Sequence, residues 1–203
     1  MTTPRDLLIV ALGEERGRPV EAGDLSLALA GAELIDLLRL PASPAIRLDG
    51  GRIVPGHLDA PADRLLAEAA ASLVMDDPWE PVGDWLWRRG DSLAATYLAV
   101  LEEEGLIVRQ GGGRFRSGEP TPADSPSRRR AVERWASGEP VLVALAQSLD
   151  VHGELGADPP NIADYAVATV LAAVNDALLE LDAERQRRSI EQAAFDNVWR
   201  GLD

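Results

Sequence analysis

The chain has 203 residues, of which 46% are hydrophobic and 27% are charged, so it is long enough to bury a core and has the composition of a soluble globular protein. Its formal net charge of -14 opposes binding to nucleic acid or anionic lipid unless cationic side chains collect in one patch. The absence of cysteine excludes disulfides and thiolate metal sites, and no apolar run is long enough to span a bilayer. We therefore predict a cytoplasmic protein.

The N-terminal part of the chain predicts a short buried segment followed by an amphipathic helix. Residues 7–20 are typical of a buried strand or helical turn and then a polar turn. In residues 23–40 leucine and alanine recur at helical spacing, while Glu33, Asp36 and Arg39 follow one another at intervals of three on the other side. We expect these three charged residues on the solvent-facing side of the helix.

The next segments predict a hairpin and two helices. Residues 45–55 alternate in polarity on either side of an Asp-Gly-Gly turn, which favours a β-hairpin. Residues 59–75 predict a helix capped by Asp59. Residues 76–105 predict a turn and then a helix that ends at Gly105 and is broken or bent at Gly90.

The second half of the chain predicts another hairpin and three more helices. The hairpin spans residues 106–116, and a flexible loop rich in proline, serine and glycine follows at about 117–126. Helices are expected from Ser127, over 140–151 and over 161–202. The last of these is apolar on almost all sides as far as Leu181, which predicts a buried central helix. The fold class is therefore mainly α: a single helical domain over residues 1–203 around a buried central helix, with amphipathic outer helices and two short β-hairpins.

No motif in the sequence supports catalysis. His57 and His152 have no serine or carboxylate at a known catalytic spacing, and there is no phosphate-binding loop, nucleophile elbow or zinc-protease motif. Both histidines are interpreted as surface residues. We predict a protein that is not an enzyme and needs neither a metal nor another cofactor.

Arginine is the only cationic residue type in the chain, and it clusters. Residues 109–134 hold seven arginines against three acids, which predicts a local cationic face on an acidic molecule, although a merely solvated surface gives the same pattern. Arg88 and Arg89 form a second pair beside Trp85 and Trp87, in the way that aromatic and cationic residues adjoin at membrane interfaces. Arginine suits bidentate binding of phosphate.

The order and spacing of these segments resemble the Golgi phosphoprotein 3 family and its bacterial relatives. The similarity covers nearly the whole chain, and the segments that carry it are "DLLIVALGEERGRPV", "LSLALAGAELIDLLRL", "IRLDGGRIV", "LAATYLAVLEEEGLIVRQGGGRFR" and "PVLVALAQSLDVHGELG". The resemblance implies a mostly helical fold around a buried central helix. It also implies a peripheral membrane protein, because eukaryotic members bind phosphatidylinositol 4-phosphate and recruit the cytoplasmic tails of Golgi glycosyltransferases.

The resemblance also points to positions for the site. The family's phosphoinositide pocket uses a tryptophan and several arginines, and the matching positions here hold Glu21, Ala30, Asp91 and Ala94, none of which supplies a cation. The arginines that remain nearby as candidates for a lipid headgroup are Arg88, Arg89 and Arg18. The family's hairpin for self-association or membrane approach matches residues 106–116, with the candidate residues Arg109, Arg114, Phe115 and Arg116.

Three functions follow as expectations. The first is a non-enzymatic adaptor that binds an anionic phospholipid such as phosphatidylinositol 4-phosphate at the inner face of a membrane. The second is a protein–protein scaffold or a homo-oligomer through the 106–116 hairpin, without lipid binding. The third is a winged-helix DNA-binding regulator; the helix before the hairpin opposes it, because that helix carries Glu102, Glu103 and Glu104 and no cation. We therefore expect no nucleic-acid partner.

Overall fold

A computed structural model describes residues 2–13, 19–40, 44–56, 61–110, 118–151 and 160–200, with the backbone alone at residues 110, 194 and 196–200. Within these residues the chain forms eight helices and two antiparallel hairpins, which confirms the mainly helical fold class. The helices are α1 (Thr3–Gly13), α2 (Ala22–Leu38), α3 (Arg64–Ala71), α4 (Val82–Arg89), α5 (Leu93–Glu103), α6 (Pro126–Ala136), α7 (Pro140–Ser148) and α8 (Tyr165–Arg200). The strands are β1 (Ile46–Asp49), β2 (Arg52–Pro55), β3 (Ile107–Gln110) and β4 (Glu119–Pro122).

The central helix of the fold is α2. Its side chains are buried from Leu25 to Ile35, and it contacts α1, α4, α5, α7 and α8. Small residues allow this crowding: a Cβ atom on Gly31 would lie 2.3 Å from Cγ2 of Val174 on α8. α8 itself buries one face against the core and leaves Leu179 70% exposed. The prediction that α8 is the central helix is therefore wrong, although its apolar face does pack on the helix that is.

In the N-terminal part, one pair of alternatives is decided and one expectation is wrong. Of the buried strand or helical turn predicted from residue 7, the structure has a helix, α1, whose residues from Thr3 to Ala11 are all buried. On α2, Glu33 is completely buried and Asp36 is partly buried, although their spacing predicts a solvent-facing side. Both carboxylates have tertiary partners that the local pattern does not contain.

The first hairpin forms as predicted, because its turn has the residues that the turn requires. β1 pairs antiparallel with β2, and both residues of the connecting turn, Gly50 and Gly51, have positive φ. A turn with two positive φ angles matches the twist of the strands and favours glycine. The helix that follows begins four residues later than predicted: Asp63, rather than Asp59, is its N-cap and accepts a hydrogen bond from the backbone N–H of Leu66.

The second hairpin lies partly in the segment predicted to be a flexible loop. β3 pairs antiparallel with β4, which is the proline-rich stretch at 119–122. Along an antiparallel strand the N–H groups point alternately toward and away from the paired strand. The N–H of Ala123 donates to the carbonyl of Leu106, so the backbone nitrogens of Pro122 and Pro120 face away from β3, where no N–H is needed for pairing. The prediction of a structureless loop over 117–126 is therefore wrong at these residues. The next helix is capped by Ser125 rather than Ser127.

Candidate functional site

Two adjoining cavities form a continuous depression along α2 and α5, which we name the α2–α5 groove. They have volumes of about 760 Å³ and 700 Å³ and share Ala22, Ala94 and Ala95 as a common wall. The first cavity, the Trp87 end, is also lined by Gly23, Ser26, Leu27, Trp87, Arg88, Gly90, Asp91, Ser92 and Leu181. The second cavity, the Leu98 end, is also lined by Ala11, Leu12, Gly13, Pro19, Val20, Leu25, Leu98, Glu119, Pro120 and Thr121.

The floor of the groove is built where α4 ends against α2. A Cβ atom on Gly90 would lie 2.5 Å from the carbonyl oxygen of Leu86, so this end of α4 requires glycine, and it is in van der Waals contact with α2 at Ser26. The hydroxyl of Ser26 accepts a hydrogen bond of 3.0 Å from the backbone N–H of Ala94. α2 thereby caps the first turn of α5, which fixes the two walls of the groove relative to each other.

Arg88 lies at the Trp87 end and is held by a carboxylate. Its Nε and Nη2 atoms donate to the two carboxylate oxygens of Glu80 at 2.7 and 2.6 Å, and Nη2 also donates to the carbonyl of Ser72. The guanidinium carbon lies 5.2 Å from the centre of the buried Trp85 ring. The hydrogen bonds to Glu80 raise the pKa of Arg88 further, so the cation is permanent and is neutralised where it stands.

Arg89 points the other way, into the protein. Its Nε and Nη2 atoms donate to the carboxylate of Glu33 at 2.8 and 2.9 Å, and the hydroxyl of Tyr97 donates to the same carboxylate at 3.0 Å. Burial raises the pKa of Glu33, an effect that the hydrogen bonds from Arg89 and Tyr97 oppose. Arg89 therefore compensates a buried charge and does not line the groove.

The other arginines expected to form one cationic face are distributed over several elements, and three of them are paired. Arg109 lies 2.8 Å from Glu102, Arg129 lies 2.8 Å from Asp124, and Arg134 lies between Asp6 and Glu139 at 2.9 and 3.0 Å. Arg128 and Arg130 form no ion pair within the described residues. Local neutralisation therefore weakens the expected cationic face at Arg109, Arg129 and Arg134, and leaves Arg128 and Arg130 as its described cations without an ion-pair partner in the described part of the chain.

Several predicted site residues lie outside the described residues. These are Arg18, Arg114, Phe115 and Arg116, together with His57 and His152. The role of the 106–116 hairpin in self-association stays a prediction. Its strand β3 has no second neighbour among the described strands, so its outer edge is open.

The groove carries an acidic residue at each end. Asp91 lines the Trp87 end and Glu119 lines the Leu98 end; both are exposed, and neither forms an ion pair in the part of the chain that the structure describes. Of the positions that match the family's phosphoinositide pocket, Asp91 and Ala94 line this groove, whereas Ala30 is fully buried.

A second buried charge cluster, which the sequence did not reveal, joins α1, α2 and α6. Asp36 accepts hydrogen bonds from the backbone N–H and the hydroxyl of Thr3, and Arg134 donates to Asp6. Burial raises the pKa of both Asp6 and Asp36. The cluster lies away from the groove lining and holds α6 against the core, so its role is structural.

The chain matches a known family over most of its length. A family model described as Golgi phosphoprotein 3 (GPP34) matches residues 4–193. No curated protein is similar enough to the chain to count as a relative. Among the described residues, no helix has the length and apolar character needed to cross a membrane, and no three histidine or carboxylate side chains are grouped so as to hold a metal ion.

Proposed function

Because the chain belongs to the Golgi phosphoprotein 3 family, we propose that it is a non-enzymatic adaptor that binds a cationic, partly apolar segment of a protein in the α2–α5 groove. The observation that carries this proposal is the lining of the groove. Alanine and leucine side chains form its walls, and a carboxylate without an ion-pair partner among the described residues stands at each end.

The physical basis is complementarity between these walls and the ligand. Ala22, Ala94 and Ala95 give a shallow wall that accommodates apolar side chains of a partner, and burial of those side chains contributes about 25 cal/mol per Å². Asp91 and Glu119 favour guanidinium or ammonium groups and repel anions. With a net charge of -14, the molecule attracts cationic partners over a longer range and speeds their association.

The test uses fluorescence anisotropy with two labelled peptides, one of alternating leucine and arginine and one of alternating leucine and glutamate. We expect only the first peptide to bind. Ala95→Arg, which places a long cation in the shared wall, should abolish that binding. Ala99→Arg is the matched control, because Ala99 is exposed one turn further along α5 but lines neither cavity. Equal binding of both peptides, or equal effects of the two substitutions, would reject the proposal.

A lipid headgroup is the second candidate, and Arg88 and Trp87 favour it. The hydrogen bonds of Arg88 to described residues use Nε and Nη2, which leaves Nη1 to donate to a phosphate at the Trp87 end. Trp87 is 40% exposed at the same place. In this role the protein is peripheral at the inner face of a membrane and takes a headgroup such as phosphatidylinositol 4-phosphate.

Vesicle sedimentation separates this candidate from the first. Phosphatidylcholine vesicles with and without phosphatidylinositol 4-phosphate are compared for the wild type, Arg88→Glu and the control Arg129→Glu. Lipid binding requires sedimentation that depends on the phosphoinositide, weakens with salt and is lost only in Arg88→Glu. If the protein stays in solution with both vesicle types, the lipid role is excluded and the protein-binding role is unaffected.

A further inference from the structure

Hydrogen bonds in the protein interior join the two helices that form the walls of the α2–α5 groove. Ser26 and Glu33 lie on the same side of α2, because their separation of seven residues is about two helical turns. Ser26 accepts a hydrogen bond of 3.0 Å from the backbone N–H of Ala94, and Glu33 accepts one of 3.0 Å from the hydroxyl of Tyr97. All four residues are buried. These bonds hold the first half of α5 to α2, beside the common wall of the groove.

Glu33 joins a third helix, α4, to the same place. Its Oε1 atom accepts hydrogen bonds from Nη2 of Arg89 and from the hydroxyl of Tyr97, and its Oε2 atom accepts one from Nε of Arg89. Arg89 is the last residue of α4, directly before the turn at Gly90 that leads to α5. All three helices supply lining residues of the Trp87 end. We name Glu33, Arg89 and Tyr97 the Glu33 triad; it fixes these helices relative to one another.

The protonation states of the triad preserve its hydrogen bonds. Burial, together with the negative charge of Glu33, raises the pKa of Tyr97 well above its usual range, so the hydroxyl keeps its proton and remains a donor. Burial opposes the charge of Arg89, but its hydrogen bonds to Glu33 and the charge of that carboxylate raise its pKa in total. Hydrogen bonds are directional, whereas apolar contacts are not. The triad therefore defines one position of α5 on α2 where apolar packing alone allows several.

Stability alone does not account for a buried triad of this kind. Glu33 and Tyr97 are fully buried, and the side chain of Arg89 is 16% exposed. The attraction within a buried ion pair often returns only part of the free energy lost when its charges leave water, so apolar side chains of similar volume often give equal or greater stability. A polar network supplies a defined geometry instead. The feature that needs a defined geometry here is the groove, since the helices that the triad joins form its walls.

We propose that the Glu33 triad positions the walls of the α2–α5 groove for ligand binding, so that Glu33, Arg89 and Tyr97 are positioning residues. This inference rests on the proposed function, because it concerns the same groove. The triad side chains are not part of the lining of either cavity, so they act through the positions of α4 and α5. Without the triad, the walls have the binding arrangement in only a fraction of the molecules. A fraction of about one tenth weakens binding about tenfold.

The first experiment compares peptide affinity with stability in a variant whose triad is apolar. Glu33→Met/Arg89→Met/Tyr97→Phe replaces the three polar groups by apolar side chains of similar size. We expect its urea midpoint to equal or exceed that of the wild type, while its affinity for the leucine–arginine peptide falls about tenfold. A triad with a structural role alone would leave the affinity of the folded variant unchanged.

A single substitution removes one hydrogen bond of the triad and keeps the ion pair. Tyr97→Phe deletes the hydroxyl, and Oε1 of Glu33 still accepts from Arg89. Thr3→Val is the matched control, because it also deletes a hydroxyl that donates to a carboxylate, that of Asp36, in the cluster away from the groove. We expect Tyr97→Phe to weaken peptide binding and Thr3→Val to leave it unchanged, although both substitutions lower the urea midpoint.

The second experiment measures the positions of the helices without a ligand. Because the chain has no cysteine, Arg39→Cys at the end of α2 and Ala99→Cys on α5 attach two spin labels at defined, exposed positions. Double electron–electron resonance gives the distribution of distances between the labels. We expect a narrow distribution when the triad is intact and a broader one when the triad is apolar.

The outcomes separate this inference from the proposed function. A folded apolar-triad variant that binds the peptide as tightly as the wild type overturns the inference, as do equal losses of affinity in Tyr97→Phe and Thr3→Val. If the apolar-triad variant does not fold, unchanged affinity in Tyr97→Phe overturns it. If the wild type binds no peptide, the proposed function fails and the spin labels decide: a broader distribution supports the inference, and an unchanged one overturns it.

Discussion

Arg88 and Arg89 are adjacent arginines that should respond very differently to the same substitution. In Arg89→Met the buried carboxylate of Glu33 loses its counter-ion. The side chain of Arg89 is 16% exposed and that of Glu33 is not exposed at all, so little water can replace the guanidinium. Removal of one partner from such a pair typically costs 3–5 kcal/mol, about 4 kcal/mol here. In Arg88→Met the lost ion pair has an arginine that is 44% exposed and a carboxylate, Glu80, that is only 10% exposed, so water reaches the pair from one side and the cost should be smaller, about 1–2 kcal/mol.

Urea denaturation followed by circular dichroism measures this difference. With a slope of about 2 kcal/mol/M, a loss of about 4 kcal/mol lowers the midpoint by about 2 M, whereas the Arg88→Met midpoint should fall by about 0.5–1 M. The double variant Glu33→Gln/Arg89→Met removes the uncompensated charge and keeps an acceptor for the hydroxyl of Tyr97. It should therefore be more stable than Arg89→Met alone. Equal midpoints for Arg88→Met and Arg89→Met, or no recovery in the double variant, would refute this account of the buried pair.

Three further predictions concern the core, a helix cap and the dependence of stability on pH. Gly31→Ala should lower the free energy of unfolding by about 1–3 kcal/mol, because the added Cβ overlaps Val174 of α8. Gly83→Ala in α4 should raise the free energy of unfolding by about 0.4–1 kcal/mol, because the space around Gly83 is open. Denaturant melts in which both substitutions change the stability in the same direction would contradict this. Asp63→Ala should cost more than the about 1–2 kcal/mol of the α3 cap, because Asp63 also lies 2.6 Å from Nε of Arg5 in a largely buried ion pair; Asp63→Ser keeps only the cap and should recover about 1–2 kcal/mol in the same melts. Burial raises the pKa of Asp6 in the folded state above its unfolded value of about 3.9, so the folded state binds the proton more tightly than the unfolded state does. The free energy of unfolding of the wild type should therefore fall relative to that of Asp6→Asn as the pH rises from about 4. A difference between the two proteins that does not change with pH would contradict this.

The features that the sequence predicted correctly depend on local chemistry. The Asp-Gly-Gly turn of the first hairpin follows from the positive φ angles that glycine favours, and the end of α4 at Gly90 follows from the lack of room for a Cβ beside the carbonyl of Leu86. The helical segments follow from periodic apolar residues. The residues that determine these features lie within a few positions of one another, so the features can be predicted without the tertiary contacts of the segment.

The features that it missed depend on partners far away in the sequence. Glu33 has the spacing of a solvent-facing residue, but Arg89 and Tyr97, 56 and 64 residues later, hold it inside. Both α2 and the first half of α8 are apolar on most sides. The spacing of apolar residues alone does not show which of the two helices is enclosed by the other helices of the fold. Proline suggested a loop at β4, although an edge strand accepts proline wherever no N–H is needed for pairing.

The candidate site was predicted in part. Arg88 does line the α2–α5 groove, but Arg89, its neighbour, serves the core, and Arg109 is paired with Glu102. Charge counting along the sequence found the arginines but not their carboxylate partners, most of which belong to other elements. The acidic residues Asp91 and Glu119 were not among the predicted site residues, because their common groove exists only once α5 and β4 are placed beside α2.

The prolines of β4 limit what the second hairpin can build. A strand that lacks N–H groups along its free side cannot template another strand there, whereas β3 keeps both donors and acceptors on its own free side. If two molecules join through their β3 strands, the resulting four-stranded sheet is bordered on both sides by proline. Growth by strand addition then stops at a pair, and the hairpin cannot seed a fibre.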